Sequence, residues 1–180
     1  MQILIIDATA FIAGFNFNLL LGTHPETKMI TTPNVFDEAS KHTASEALLL
    51  SFQEQGMLEI RSPEEQLVKQ VNEAARTMGD LKSLSENDRQ LIALALEMKT
   101  THPQDSVQLM SDDYSVQNTC SRLKIACLRL KKAGIKKAIR WEIYCPDCFM
   151  TYSADLFGQE CERCGAVLKR RPYKGKRPHL

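Results

Sequence analysis

Two Cys-x-x-Cys pairs, Cys145-Pro146-Asp147-Cys148 and Cys161-Glu162-Arg163-Cys164, stand twelve residues apart near the C-terminal end of the 180-residue chain, and no other feature narrows its fold as far. Each pair brings two thiolates from one tight knuckle to a single ion about 2.3 Å away, and two knuckles on a hairpin complete a tetrahedron. Pro146 and Gly165 suit those turns. A segment of about 30 residues cannot bury enough surface alone, so metal binding supplies its folding energy. Disulfides are the alternative, but Met1 opens no basic secretory leader and a reducing compartment is expected. Four cysteines leave no open coordination position, so the expectation is one structural zinc on Cys145, Cys148, Cys161 and Cys164. Cys120 and Cys127, in apolar surroundings, read as small buried hydrophobes, and the histidines at 24, 42, 102 and 179 form no metal-binding pair. Phe149, Tyr152 and Phe157 fit either the core of the ribbon or platforms for stacking bases.

Net charge is only +1, yet it is divided along the chain. Up to Thr119 there are 8 Lys and Arg against 17 Asp and Glu, and from Cys120 onward 15 against 5, giving −9 and +10. Ser121 to Arg140 holds eight basic residues and no acid, and Lys169 to Leu180 holds six more around Tyr173. Basic runs on both flanks of a zinc ribbon favour nucleic acid over a merely solvated face, and the expected phosphate contacts are Lys131, Lys132, Lys136, Lys137, Arg140, Lys169, Arg170, Arg171, Lys174, Lys176 and Arg177. The acidic body would repel a polyanion unless its carboxylates hold cations. Apolar stretches stop at Asp7, or are broken by Asn16 and Asn18, short of the roughly 18 residues a membrane span needs. A cytoplasmic protein with no membrane partner is expected.

The acidic part reads as strands alternating with helices. Met1 to Ile6 is short, continuous and β-branched, a buried strand that ends at Asp7 before a helix from Ala8 to Phe15. Thr31-Thr32-Pro33 starts a helix that carries Glu38, and a further helix spans Ala44 to Gln55 and stops at Gly56. Leu58 to Ile60 is a short strand, and Ser62-Pro63-Glu64-Glu65 is a capping box opening a helix to Arg76. Ser85-Glu86-Asn87-Asp88 is another capping box, whose helix buries Leu91, Leu94, Ala95 and Met98. Strand Ser106 to Met110 leads into Ser111-Asp112-Asp113 and a helix to Arg122, and Ile125 to Leu130 is the last strand. Such alternation implies an α/β fold, a parallel sheet flanked by helices, with ligands beyond the carboxyl ends of the strands. Asp7 and Asp112 follow directly on strands, and Glu38 and Asp88 would lean over the same edge. Four converging carboxylates need a counter-charge, and oxygen donors without histidine favour Mg²⁺ or Mn²⁺. Each acid also has a local explanation: Asp7 as a helix cap, Asp88 within its capping box, Glu38 as an exposed helix residue, Asp112 and Asp113 as turn or N-cap acids.

Taken together, ILIIDATAFIAG around Asp7, MITTPNVFDEA around Glu38, LSENDRQLIALALEMK around Asp88 and VQLMSDDYSVQN around Asp112 resemble a PIN-domain nuclease. With the ribbon CPDC…CERCG, the chain resembles the small-subunit rRNA maturation endonucleases of the Nob type, in their compact archaeal form, from Met1 to about Leu168. The resemblance implies a PIN nuclease domain over 1–128, a basic linker over 129–140, a zinc ribbon over 141–168 and a basic tail over 169–180. It implies Asp7, Glu38, Asp88 and Asp112 as catalytic metal-binding acids, with Asp113 a weaker match, and Ser111 where many relatives carry threonine. The implied substrate is the precursor of small-subunit rRNA, cut at its 3′ end within the assembling small ribosomal subunit. One or two Mn²⁺ or Mg²⁺ ions on these acids would activate water and offset charge on the leaving oxygen, leaving a 3′-hydroxyl and a 5′-phosphate. A PIN toxin cutting tRNA and a non-catalytic RNA-binding assembly factor are the competing functions. Whether two copies associate is left open.

Overall fold

The computed structural model describes residues 1–130 and 139–173. Lys131, Lys132, Lys136, Lys137, Lys174, Lys176 and Arg177 lie outside the described residues. The acidic part runs β1 (Gln2–Ile6), α1 (Ala8–Ile12), α2 (Phe17–Thr23), β2 (Thr27–Thr31), α3 (Pro33–Ser40), α4 (Thr43–Glu54), β3 (Leu58–Ile60), α5 (Glu65–Met78), α6 (Glu86–Thr101), β4 (Ser106–Met110), α7 (Tyr114–Arg122) and β5 (Ala126–Leu128). The ribbon adds β6 (Trp141–Tyr144), β7 (Thr151–Tyr152) and β8 (Lys169–Pro172).

The first five strands form one parallel sheet in the order β3-β2-β1-β4-β5. Parallel strands covered on both faces are continuously apolar, and Ile3, Leu4, Ile5 and Ile6 are all buried. The chain winds outward from β1 through β2 to β3, then returns to the other side of β1 with β4. The strand order therefore reverses between β1 and β4, which opens a crevice at their carboxyl ends, where Ile6 pairs with Met110. The residues that follow are Asp7 on one side and Ser111-Asp112 on the other.

Two elements leave weak marks in the sequence. β2, Thr-Lys-Met-Ile-Thr, carries only two apolar residues; its threonines are buried because their hydroxyls are satisfied, Thr27 donating to Gln2 Oε1 (3.0 Å) and Thr31 to the Ile6 carbonyl (2.8 Å). α2 starts at Asn16, whose side chain accepts from Leu19 N (3.1 Å), and it packs Phe17 on Phe11 and Phe52 with ring centroids 5.2 and 5.6 Å apart. The capping box expected at Ser62 does not form. α5 begins at Glu65, and the Glu64 amide donates instead to the buried carboxylate of Glu97 (3.1 Å), which also holds Arg61. The box at Ser85 does form, with Asp88 Oδ2 accepting from Ser85 N at 2.8 Å. Among the described residues no helix is long and apolar enough to cross a membrane.

The ribbon is a three-stranded antiparallel sheet, β7-β6-β8, over a small core of Ile143, Cys145, Cys161 and Leu168. Residues 169–172, counted from the sequence as the start of the basic tail, are its third strand. It is seated on the parallel-sheet part through the end of α5. Gly79 closes that helix at φ +75°, and a Cβ there would lie 2.7 Å from the Trp141 Cβ, so only glycine allows the approach. The next residue, Asp80, is 1% exposed and accepts from Arg170 at 3.0 Å and from Asn118; Arg170 also bonds Ser83 and lies 4.6 Å from the Trp141 ring centre. Lys82 donates to the Phe157 carbonyl at 2.9 Å.

Candidate active site and metal centre

The crevice between β1 and β4 is flanked by Asp7 on one side and Asp112 on the other. The Asp7 amide donates to the Met110 carbonyl (3.3 Å), which continues the sheet for one residue and turns the side chain over the edge. Its Oδ2 accepts from the hydroxyls of Ser111 and Thr9, both at 3.0 Å. Burial pushes the Asp7 carboxyl above its ordinary range, these two hydroxyls pull it back in part, and the charge of Asp88 pushes it up again. Asp88 is therefore within electrostatic reach, held by its capping box on the first turn of α6. Its neighbour Asn87 donates to Glu38 Oε2 (3.2 Å), which ties the exposed Glu38 on α3 to the same helix start. Asp112 continues β4; its Oδ1 accepts from the Leu130 amide (2.9 Å), so the chain after β5 orients it. Asp113 does other work: its Oδ1 caps α7 by accepting from Ser115 N and Val116 N at 2.6 and 3.1 Å.

Asp7 and Asp112 follow directly on the paired strands β1 and β4, Asp88 acts on Asp7 through its charge, and Glu38 is tied to the start of α6 through Asn87. Among the described residues, however, the four cysteines are the one group of metal-ligating side chains close enough to hold an ion; the acids are not drawn that tightly together. The donor set is oxygen only, carries excess negative charge and contains a carboxyl that burial disfavours as an anion, and each property fits a hard divalent cation. Thr9 and Asn87 carry no motif of their own in the sequence; their closeness to Asp7 and Asp88 along the chain is the only signal.

In the ribbon, Cys145 Sγ lies 3.3 Å from Cys164 Sγ and Cys148 Sγ 3.6 Å from Cys161 Sγ, with all four sulfurs within 4.8 Å of one another. Disulfide sulfurs would be about 2.05 Å apart. Four ligands at about 2.3 Å from a tetrahedral ion would be separated by about 3.8 Å. The thiols therefore have the spacing of a metal centre. The knuckles are built alike: the residue after each second cysteine, Phe149 or Gly165, has positive φ (60° and 76°), and its amide donates to the carbonyl of the first cysteine at 3.0 and 2.8 Å. The Tyr152 hydroxyl and Cys161 Sγ are hydrogen-bonded at 2.9 Å, a contact that pulls the thiol down to about 6. Tyr152 and Phe157 pack on the ribbon core, whereas Phe149 is 66% exposed. Cys120 is buried and Cys127 half-buried.

The described basic residues divide into two kinds. Arg170 is engaged by Asp80 and Ser83, and Arg171 by Glu142 (2.7 Å) and the Tyr144 ring (4.4 Å). Lys169 and Arg140 are exposed, and the Arg140 guanidinium lies 4.7 Å from the Tyr173 ring centre.

The family model for the PIN domain of ribonuclease matches residues 4–98, which include Asp7, Glu38 and Asp88, and the chain belongs to that family. Over 171 residues it is 32% identical to Endoribonuclease Nob1 of Pyrococcus abyssi, an alignment spanning 95% of this chain and 94% of that protein. Over 176 residues it is 31% identical to Endoribonuclease Nob1 of Methanocaldococcus jannaschii, spanning 98% of this chain and 81% of the relative. Ribonuclease VapC1 of Thermoplasma acidophilum is 30% identical over 175 residues, spanning 97% and 81%. These alignments are long enough to include the ribbon.

Proposed function

We propose that the protein, a metal-dependent endoribonuclease, hydrolyses the precursor of small-subunit rRNA at its 3′ end within the assembling small ribosomal subunit. The observation that carries this reading is the pairing of PIN-edge acids with a basic four-cysteine ribbon in one chain, matched nearly end to end by relatives named Endoribonuclease Nob1. Asp7, Glu38, Asp88 and Asp112 would hold Mn²⁺ or Mg²⁺, with Asp113 acting mainly as the α7 cap, and Cys145, Cys148, Cys161 and Cys164 would hold one structural Zn²⁺. The hard cation, when bound, supplies water activation and charge neutralisation at the phosphate.

The chain's own residues do the rest. Asp7, half-buried and oriented by Ser111 and Thr9, presents a fixed carboxylate on the β1 side of the crevice, and Asp112 does so on the β4 side. Glu38 and Asp88 face them from α3 and α6 and set the charge of the site. Lys169 and Arg140 contact phosphates, while Arg170 and Arg171 hold the ribbon's shape. The histidines at 24, 42, 102 and 179 form no closely spaced pair in the sequence of the kind that would activate a ribose 2′-hydroxyl, so hydrolysis leaving a 3′-hydroxyl and a 5′-phosphate is the expected route.

A second reading, a PIN ribonuclease acting on tRNA in a toxin system, is favoured by the VapC1 match, which covers 97% of this chain, so the ribbon alone does not separate the two. The test is incubation of the protein with RNA spanning the precursor's 3′ junction, and with tRNA, with and without Mn²⁺, followed by mapping of the ends. Mn²⁺-dependent cutting at the junction with 5′-phosphate ends is expected. Cutting of tRNA with an intact junction would replace the first reading by the second.

A further inference from the structure

Between the last turn of α5 and the ribbon sheet lies a cavity of about 290 Å³, lined in part by Arg76, Arg140, Trp141, Glu142, Tyr152 and Tyr173. That volume is at the lower end for small-ligand sites and suits one flat ring with its substituents, not a helix of paired bases. Its charges are not equivalent. Glu142 is neutralised by Arg171 at 2.7 Å, and Arg76 is paired with Glu73. Arg140 has no carboxylate partner among the described residues, and its guanidinium faces the Tyr173 ring at 4.7 Å. Three aromatic side chains and one uncompensated guanidinium in a concave site are the chemistry that receives a base and its phosphate.

The position of the cavity adds to this. Trp141 also walls a smaller crease lined by Asp80, Tyr114, Ser115 and Arg170. Tyr114 is 62% exposed and opens α7, directly after Asp112 and Asp113, whereas the next six residues of that helix are buried. Trp141 and Tyr114 thus share one crease, and Tyr114 follows the acids after β4 in sequence. At the other rim the Tyr173 amide donates to the Arg140 carbonyl at 2.7 Å, and the sequence attaches its two lysine-rich stretches next to these residues, one before Ile139 and one after Tyr173.

We propose that this cavity holds one unstacked nucleotide of the single strand being cut, its base among Trp141, Tyr152 and Tyr173 and its phosphate on Arg140. The site takes nucleotides of single-stranded RNA as a class and fixes where the strand enters the acidic crevice. It rests on the endoribonuclease reading for the identity of the strand.

Trp141 is the chain's one tryptophan, so the cavity carries its own reporter. The experiment titrates the zinc-loaded full chain with a ten-residue oligouridylate, without added Mn²⁺, and follows Trp141 emission for the parent, Arg140→Gln, Arg140→Lys and Tyr173→Ala. Saturable quenching is expected in the parent. Tyr173→Ala should weaken binding about 5- to 100-fold, the range for one stacked base. Arg140→Gln should also lower the slope of log affinity against log salt by about 0.7, and Arg140→Lys should restore that slope without restoring full affinity. Absence of quenching in the parent, or equal affinity and slope in parent and variants, would overturn the cavity assignment. Cleavage in Mn²⁺ is read separately: quenching without junction cutting removes the proposed substrate and leaves the cavity, while cutting without quenching does the reverse.

Discussion

Arg170 and Asp80 decide whether the ribbon is fixed to the nuclease part, and a double-mutant cycle measures their link. Asp80 is 1% exposed and the Arg170 side chain 28%, with 3.0 Å between them. Removing one partner of a wholly buried pair costs about 3–5 kcal/mol. Here Arg170 reaches water and Asp80 keeps the Asn118 amide, so Arg170→Met should cost about 2–3 kcal/mol, including the lost contact with the Trp141 ring. Asp80→Asn leaves Arg170 without its anion, at about 1–2 kcal/mol, since the guanidinium is partly solvated. The double variant should lose less than the sum, with a coupling of about 1.5–2 kcal/mol, the lower half of the range for a charge-assisted hydrogen bond. Urea unfolding of the zinc-loaded protein, followed by Trp141 emission, gives the four free energies. A coupling below about 0.5 kcal/mol would mean that the two side chains do not meet in solution, and the seat at Gly79 and Asp80 would be refuted.

Asp7→Asn should reduce Mn²⁺-dependent cleavage by about 1000-fold or more, in line with loss of a group that holds the reacting ion, while RNA affinity is kept; equal rates for variant and parent would exclude Asp7. Because burial raises the Asp7 pKa above its unfolded value, the native state holds the proton more tightly than the unfolded chain. Without divalent ions, its contribution to stability should fall as pH rises from the unfolded carboxylate pKa through the raised native one. Asp7→Asn should remove that part of the pH dependence and raise Tm at pH 7; a Tm equal to or below the parent's contradicts this. Gly79→Ala places a Cβ 2.7 Å from Trp141 and strains φ, so a loss of about 1–3 kcal/mol in urea unfolding is expected, and an unchanged midpoint would show that the approach is looser. Chelation of zinc should unfold the ribbon, seen as lost amide protection around Ile143 and Leu168, and leave the parallel sheet protected.

Much of the site is legible in the amino-acid order because strand ends are sharply marked. A continuous apolar run stopping at Asp7, and a short strand whose last apolar residues, Leu109 and Met110, stop at Ser111-Asp112, place both acids at the carboxyl edge of a parallel sheet. The cysteine spacing is equally direct, since few backbones other than paired knuckles bring four sulfurs within 4.8 Å. β2 is hidden because its burial rests on threonine hydroxyls satisfied by Gln2 and Ile6, which depends on a neighbouring strand and leaves no apolar periodicity. The failed capping box at Ser62 has the same origin: Glu97, 33 residues beyond Glu64, accepts the amide that a local side chain would otherwise hold. Arg170 and Arg171 look like phosphate contacts by composition. Their partners, Asp80 at 90 residues' separation and Glu142 at 29, come only from the ribbon's strand pairing and its seat on α5.

Anomalous diffraction from a crystal soaked in Mn²⁺ tests the metal assignment most directly. A manganese peak within about 2.0–2.3 Å of oxygens of Asp7 and Asp112, with Glu38 and Asp88 reaching it directly or through water, is the predicted result. A peak elsewhere, with those oxygens beyond mutual reach, would contradict the proposed active site.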